Sequence, residues 1–385
     1  MATTNSENSP GYAMAVVKDG KTVLTKTAGL ADLDNKVSIT AKTAFRLASL
    51  SKQFTAMAVM ILVERKKLSL KNKLMDFFPN YPGYGNKVTV RQLLTHTAGI
   101  PDHEKPLYKL MSLFQKSLRA SPSDWRSVAI SSLDLDCHVS LDYARDPRND
   151  GGNSEPTIYD ALKVLKNQPA PLFSPGSRYQ YSDAGYVLLA LIIEKVSGVS
   201  YRDFLNRNIF SSLTMNSSDV LDQTKPKIKN RALGYKRMRL LRPARSGARN
   251  DREGYENFDY DPLNYIVGDE GVYSSLEDMI KWNLAWKEEI LVSRRSLAEA
   301  MRPAKLTGGN FGKAGFSWLM GEFNGDKIVY QDGAWVGFRN IIFKIPAQKL
   351  TVIILSNRTG LDTERQRVSL ASQLAQKFLR PDKME

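Results

Sequence analysis

The sequence predicts an α/β fold of the α+β kind: one antiparallel sheet built from both termini, flanked by helices, with an inserted and mostly helical region. Near the start, two strand-like runs at 12–17 and 22–28 are separated by the turn dipeptide Asp19-Gly20, a pattern typical of a β-hairpin. Strand-like runs recur between 327 and 355, and the stretch between these two ends has mainly helical periodicity. We therefore expect the two ends of the sequence to contribute strands to the same sheet.

The first predicted helix is unusually apolar. The run 54–63 carries no polar residue except Thr55, which predicts a helix buried on all sides, and it is too short to cross a bilayer. We expect this helix to begin at Ser49 and to end near Leu68.

The remaining elements are predicted from periodicity and from the positions of glycine and proline. In chain order we expect a loop at 75–90, helices at 90–97, 107–118, 157–166, 185–196, 201–210 and 275–286, strands at 327–330, 334–336, 339–345 and 351–355, and a closing helix at 362–379. Gly198 follows the fourth of these helices, where a residue of positive φ commonly ends a helix.

The composition allows a sizeable core and gives the chain a basic surface. Of 385 residues 42% are hydrophobic, and 55 Lys and Arg against 40 Asp and Glu give a net charge of +15, which favours anionic surroundings. The most basic stretch, 236–252, is read either as a solvated loop or as a rim that gathers an anionic substrate or touches a membrane surface. Without a recognisable nucleic-acid-binding motif, the sequence predicts no nucleic-acid partner, whereas peripheral contact with an anionic surface stays open.

Cysteine and histidine are scarce, which bears on metals, cofactors and compartment. Cys137 is the only cysteine, so the sequence predicts no intramolecular disulfide, and the three histidines are not clustered, so it predicts no metal and no cofactor. Residues 1–9 are polar and predict no signal peptide in the chain as given. The expected compartment is extracytoplasmic if a leader was removed, and cytoplasmic otherwise.

Ser49 and Lys52 are the strongest candidates for chemistry. They lie one helical turn apart on the same face, at the positive end of the apolar helix. A hydroxyl beside a desolvated lysine suits a nucleophile whose proton the lysine takes. The alternative is a helix-capping serine and a lysine whose stem packs along the helix. This is the only Ser-x-x-Lys in the sequence, and it falls where the buried helix begins.

Four motifs in order resemble the serine β-lactamase and penicillin-binding-protein superfamily, in the branch of class C β-lactamases, DD-carboxypeptidases, D-aminopeptidases and β-lactamase-like esterases. They are Phe45-Arg-Leu-Ala-Ser49-Leu-Ser-Lys52-Gln-Phe-Thr-Ala, Leu93-Leu-Thr-His96-Thr-Ala-Gly99-Ile-Pro101-Asp102, Phe173-Ser-Pro-Gly176 through Tyr181-Ser-Asp183-Ala-Gly185-Tyr186, and Asp332-Gly333-Ala-Trp335-Val-Gly337-Phe338. The resemblance extends from Pro10 to the closing helix, except that 104–153 is longer than the family usually needs and the first helix of the family is missing or truncated.

The resemblance implies a β-lactamase/transpeptidase-like fold and a single catalytic domain. Its sheet lobe would span about 10–75 and 295–385, and its helical lobe about 76–294, with an atypical insertion at about 104–153. The implied function is a serine hydrolase that acts through an acyl-enzyme on a small-molecule or peptide-like ester or amide. The alternatives are a β-lactamase or D-alanyl-D-alanine carboxypeptidase proper, and a catalytically weakened binding protein. The oligomeric state stays open.

The resemblance also implies roles for individual residues. Ser49 would be the acylated nucleophile, Lys52 its partner in proton transfer, and Tyr181 the residue that passes a proton to the leaving group. The backbone N–H groups of Ser49 and Ala334 would form the oxyanion hole.

The expected substrate-binding residues depart from the family in two places. They are Asp183, Gln331, Asp332, Gly333 and Trp335. Asp183 stands where the family most often has Asn, and its carboxylate should favour the charged form of Lys52 and make it a poorer base. Gln331 begins the segment where relatives have Lys-Thr-Gly or His-x-Gly, and it carries no charge. Both changes favour a neutral ester or amide substrate, or weakened catalysis. Gly333 would let the backbone approach the substrate closely, and Trp335 would either wall the cleft or be a buried structural tryptophan.

A Ser-His-Asp hydrolase is the main rival, with His96, His103 and His138 as candidate bases. The sequence has no Gly-x-Ser-x-Gly elbow. We read His96 as a packing or backbone-bonding residue of a structural turn, and expect His103 and His138 at the surface.

Overall fold

A six-stranded antiparallel sheet joins the two ends of the chain in the computed structural model, which describes residues 8–119, 155–224, 227–238 and 254–379. Its strands are β1 (Tyr12–Lys18), β2 (Lys21–Ala28), β10 (Leu319–Phe323), β11 (Asp326–Trp335), β12 (Phe338–Ile345) and β13 (Leu350–Ser356), in the order β10-β11-β12-β13-β1-β2. Strand β1 pairs with β13 along its whole length. The expected sheet built from both ends of the sequence is confirmed.

Short strands and ten helices complete the described part of the chain. The strands are β3 (Leu30–Asp32), β4 (Val37–Ser38), β5 (Phe45–Arg46), β6 (Asp219–Val220), β7 (Tyr235–Met238), β8 (Gly254–Asn257) and β9 (Val272–Ser274). The helices are α1 (Lys52–Glu64), α2 (Leu74–Phe77), α3 (Val90–Leu94), α4 (Glu104–Arg119), α5 (Ile158–Lys166), α6 (Asp183–Ser197), α7 (Tyr201–Leu205), α8 (Leu276–Ala285), α9 (Arg294–Ala300) and α10 (Glu364–Gln376). Cys137, His138 and the basic residues from 239 to 252 lie outside the described residues.

The alternation of side chains in the sheet places cores on both of its faces. On β1, Ala13 and Ala15 face the main core with helices α1 and α6, whereas Met14 and Val16 face a second core under α10. Helix α1 is buried at every position from 52 to 62, as its all-apolar sequence predicts. The apolar helix that carries Lys52 is therefore fixed in the centre of the molecule.

Two predicted boundaries are wrong. Helix α1 begins at Lys52 and ends at Glu64, because Ser49 lies in a separate 3-10 turn, Ala48–Ser51, and Lys66 leaves the helix with φ 57°. The strands expected at 327–330 and 334–336 are one strand, β11, because β12 pairs with it continuously from Val329 to Trp335.

No single helix among the described residues is both long and apolar enough to cross a membrane. Asp183–Ser197 and Tyr201–Phe210 together meet the length and composition, but they meet at an angle of 76°. Residues 184–193 are buried within the protein, as in the core helix of a globular domain.

Candidate active site

Ser49 is presented by a strained turn between strand β5 and helix α1. Ala48, directly before it, has φ 52°, a left-handed conformation that non-glycine residues rarely adopt and that is frequent at functional sites. The turn is attached to strand β9, since Ser51 Oγ accepts a hydrogen bond of 3.1 Å from the backbone N–H of Val272. Ser49 itself is partly exposed, so its hydroxyl is accessible from outside.

Lys52 places a buried ammonium group beside this hydroxyl. Its Nζ donates to Ser49 Oγ at 3.2 Å and to the carbonyl oxygen of Asp269 at 3.0 Å, and it lies 2.6 Å from Oδ1 of Asp183. Burial alone would lower the pKa of Lys52, but the Asp183 carboxylate, together with Tyr181 and Asp269, raises this pKa well above the ordinary value. The resting Lys52 side chain is therefore a charged hydrogen-bond donor, which the carboxylate at position 183 led us to expect from the sequence.

Tyr181 lies across from Lys52. Its ring centroid is 5.1 Å from Lys52 Nζ, and the ring also stacks on His96 with 4.5 Å between ring centroids. Desolvation raises the pKa of Tyr181, while interactions with Lys52 and Ser49 oppose the rise. The structure thus brings together Ser49, Lys52, Tyr181 and Asp183, which the sequence proposed as one group.

Strand β11 passes directly along the Ser49 turn, and Gly333 is the point of closest approach. A Cβ at Gly333 would lie 2.3 Å from the carbonyl oxygen of Leu47 and 3.2 Å from the backbone nitrogen of Ser49. The glycine therefore makes room for the nucleophile turn itself. The oxyanion hole of Ser49 and Ala334 stays a proposal, which this adjacency of the two segments favours.

Side chains on β11 alternate between its two faces, so Gln331 and Gly333 face the Ser49 turn and Asp332 does not. Gln331 is buried and donates its amide to the carbonyl oxygens of Ser49 (3.4 Å) and Asp332 (3.1 Å), so it holds the turn. Trp335 donates its indole N–H to Asn264 at 2.9 Å and is partly exposed. Asp332 points to the opposite face, where Arg367 of α10 binds its carboxylate, so its expected contact with substrate stays a prediction that this ion pair does not favour.

The two described histidines have different positions. His96 accepts a hydrogen bond from the backbone N–H of Ser182 at 3.1 Å through Nδ1, and burial and Lys52 lower its pKa to about 3. It is the backbone-bonding residue that the sequence predicted. His103 is only 1% exposed, so its expected surface position is wrong. Neither imidazole is hydrogen-bonded to Ser49 among the described residues.

The sequence did not single out a second acidic group beside Lys52. Asp269 and Glu270 belong to a tight loop between Gly268 (φ 106°) and Gly271 (φ 91°), and the Glu270 carboxylate lies 3.5 Å from the buried Arg46 guanidinium. Burial raises the pKa of Asp269 to about 7, and burial and Asp183 raise that of Glu104 to about 8. The sequence Gly-Asp-Glu-Gly at 268–271 could have indicated this acidic loop, since two acids between glycines are unusual in a region of mainly helical periodicity.

This geometry suits nucleophilic attack on a carbonyl group. A partly exposed hydroxyl lies next to a buried amine and a tyrosine, and a strand that offers backbone N–H groups runs alongside. The Asp183 carboxylate beside Lys52 disfavours a substrate carboxylate at the same place.

Comparisons with known proteins show which proteins this chain resembles. Penicillin-binding protein 4* of Bacillus subtilis (strain 168) is 30% identical over 347 residues, which are 89% of this chain and 66% of that protein. The mitochondrial serine beta-lactamase-like protein LACTB of Mus musculus is 28% identical over 312 residues, 72% of this chain and 54% of that protein. The chain thus spans about half to two thirds of the length of these curated relatives.

The fold and the family follow from two further matches. The structure of the octameric penicillin-binding protein homologue from Pyrococcus abyssi superposes with a TM-score of 0.69 at 26% identity, over 96% of this chain and 74% of that one. The model of the Beta-lactamase family matches residues 2–377. With its β-lactamase/transpeptidase fold, this chain belongs to the Beta-lactamase family.

Proposed function

We propose that this protein is a serine hydrolase that cleaves an ester or amide through an acyl-enzyme on Ser49. The observation that carries the proposal is the Ser49 hydroxyl, partly exposed on a strained turn and 3.2 Å from the buried Nζ of Lys52. A purely helix-capping serine would not need this turn, because Ser49 lies outside helix α1 and makes no capping hydrogen bond to it.

The reaction begins with attack of Ser49 Oγ on the substrate carbonyl carbon. Lys52 accepts the serine proton in the fraction of molecules in which its amine is neutral, and Tyr181 passes a proton to the leaving group. The N–H groups of Ser49 and Ala334 stabilise the oxyanion, which contributes several kcal/mol in comparable sites, roughly 3–4 for one donor. Water then attacks the acyl-enzyme and releases the acid, with the proton movements reversed.

The surrounding charges favour a neutral substrate. Gln331, in the position of the cation of the family's third motif, is buried and occupied by the Ser49 carbonyl, and the Asp183 carboxylate lies beside the ammonium of Lys52. A penicillin or a peptide C-terminus brings a carboxylate that would be repelled there. We therefore favour an ester or amide without a carboxylate near the scissile bond over a β-lactam or a D-alanyl-D-alanine peptide.

One observation supports the alternative of a weakened, binding protein on the same fold. The Lys52 ammonium donates to Ser49 and is paired with Asp183, so most molecules at neutral pH lack a free base at the serine. In that case substrate would bind without turnover.

A covalent label separates these functions. We expect a fluorophosphonate probe to form an adduct on the Ser49 peptide, detected by mass spectrometry, and the adduct to disappear in Ser49→Ala. The matched control Ser211→Ala alters an exposed serine and should label like the wild type. A panel of p-nitrophenyl esters, nitrocefin and D-amino-acid amides then identifies the substrate class. Failure of fluorophosphonates and penicillins alike to modify Ser49 would favour the binding protein.

A further inference from the structure

Three side chains with metal-binding donor atoms meet next to the Ser49 site. His103 and Glu104 stand at the start of helix α4, and Asp269 lies in the glycine-flanked loop before strand β9. One donor atom from each of the three residues lies within 4.8 Å of the other two. The cluster was not apparent from the sequence, because Asp269 is far along the chain from the other two residues.

Two of these side chains are buried without the hydrogen bonds that such groups normally make. His103 is 1% exposed and Asp269 4% exposed, and neither Nδ1 of His103 nor Oδ1 of Asp269 has a hydrogen-bond partner among the described residues. Buried polar atoms in proteins are satisfied in the large majority of cases, so two unsatisfied atoms in one cluster indicate a missing partner. A single partner that interacts with an imidazole nitrogen and a carboxylate oxygen at the same time would satisfy both atoms.

A divalent cation meets both requirements. Imidazole and carboxylate groups are the ligands of Zn²⁺ and Mn²⁺ in proteins, and zinc binds them at about 2.0–2.2 Å, which places neighbouring donors about 3–4 Å apart. The three donors, all within 4.8 Å of one another, lie near that spacing. Four carboxyl groups lie near one another beside the Lys52 ammonium, those of Asp183, Glu270, Glu104 and Asp269, and a bound cation would offset the repulsion between them.

We propose that His103, Glu104 and Asp269 form a binding site for a divalent transition-metal ion beside the catalytic group. The ion would join the start of α4 to the loop before β9, two segments that flank the Ser49 cleft. It takes no part in the acylation chemistry proposed above, so the two proposals stand or fall separately.

The test uses the full-length protein, treated with a chelator and then titrated with Zn²⁺ in a calorimeter. We expect one equivalent to bind, and the affinity to fall at least tenfold in Glu104→Gln and in His103→Ala. The matched control Glu288→Gln removes an exposed carboxylate elsewhere and should bind like the wild type. Co²⁺ provides a second readout, because loss of the His103 ligand should change the visible absorption spectrum of the bound ion.

Equal Zn²⁺ affinity in the wild type and in Glu104→Gln would overturn the proposal, as would wild-type binding of less than one equivalent. Glu104 is partly exposed, so its substitution is the safer variant for folding, and circular dichroism before titration confirms that each protein is folded. None of these measurements depends on hydrolysis, and a negative result therefore leaves the labelling of Ser49 unaffected.

Discussion

Asp183 is the residue that most distinguishes this site. Its carboxylate lies 2.6 Å from Lys52 Nζ, so the lysine that should accept a proton is held in its protonated form. Each unit by which a neighbour raises a pKa corresponds to about 1.4 kcal/mol of stabilisation of the protonated form. The rate of acylation should therefore rise with pH, because only the neutral amine can accept the serine proton.

Asp183→Asn should move this pH dependence to lower pH. Removal of the carboxylate lowers the pKa of Lys52, because Asp183 no longer opposes the lowering effect of burial. At a fixed pH below that pKa, acylation should accelerate about tenfold for each unit by which the pKa falls. The measurement is the rate of fluorophosphonate labelling of Ser49 across the pH range.

The exposed Asp34 provides the control for this effect. Asp34→Asn removes the same charge far from the site and should leave the profile in place. An Asp183→Asn profile that coincides with the wild type would contradict our account of Lys52. So would the absence of any gain in β-lactam acylation when Asp183→Asn is combined with Gln331→His.

The proximity of site residues was predictable from the sequence where those residues belong to a motif. The spacing of Ser49 and Lys52 and the context of Tyr181 placed three side chains that the structure brings together. Asp269 and His103 were not predictable in the same way, since their proximity to Lys52 arises from tertiary packing of distant segments. The ion pair of Asp332 with Arg367 was not predictable from the motif, because a motif gives a position on a strand, whereas the two faces of the strand decide which way a side chain points.

At the scale of elements, the site depends on the approach of strand β11 to the Ser49 turn. Both segments are rigid: β11 is paired with β12, and the turn is continuous with the buried helix α1. The sequence predicted the strand and the helix, but it placed a break in β11 and merged the turn with α1. The left-handed conformation of Ala48 explains the second error, because nothing in its residue type announces a positive φ.

Gly333→Ala should damage the site more than the fold around it. The added Cβ would overlap the carbonyl oxygen of Leu47, so either β11 or the turn must move. We expect fluorophosphonate labelling of Ser49 to slow by at least about tenfold, since a shift of about 1 Å in a catalytic group can cost more than that. The melting temperature should fall as well.

Gly308 offers a matched substitution, because a Cβ there would meet open space. Gly308→Ala should label at the wild-type rate and melt at the wild-type temperature. Normal labelling of Gly333→Ala would show that β11 does not support the nucleophile.

At the scale of the whole molecule, Asn357 connects three parts of the chain. Its buried side chain accepts from the backbone N–H of Gly11 at 2.8 Å and donates to the carbonyl oxygens of Leu30 and Leu233, both at 3.0 Å. The strands at both ends and a segment of the inserted region therefore converge on one amide. The sequence predicted that the ends share a sheet, but gave no sign of this residue.

Asn357→Ala should lower the free energy of unfolding by about 3 kcal/mol or more, because it leaves several buried backbone groups without partners. Urea denaturation followed by circular dichroism measures the loss. The exposed Asn86 is the comparison, and Asn86→Ala should change stability by less than about 0.5 kcal/mol. A similar small change in Asn357→Ala would show that the three segments hold together without it.

The pairing of β1 with β13 also has a consequence for biosynthesis. Strand β1 leaves the ribosome long before β13, its neighbour in the sheet, so the two edges that flank β1 cannot both be satisfied until β13 has been translated. A nascent chain exposes an apolar β1 during this interval, when aggregation competes with folding. Since β11 belongs to the same sheet, Ser49 should become reactive only after β11 has been translated and has joined that sheet.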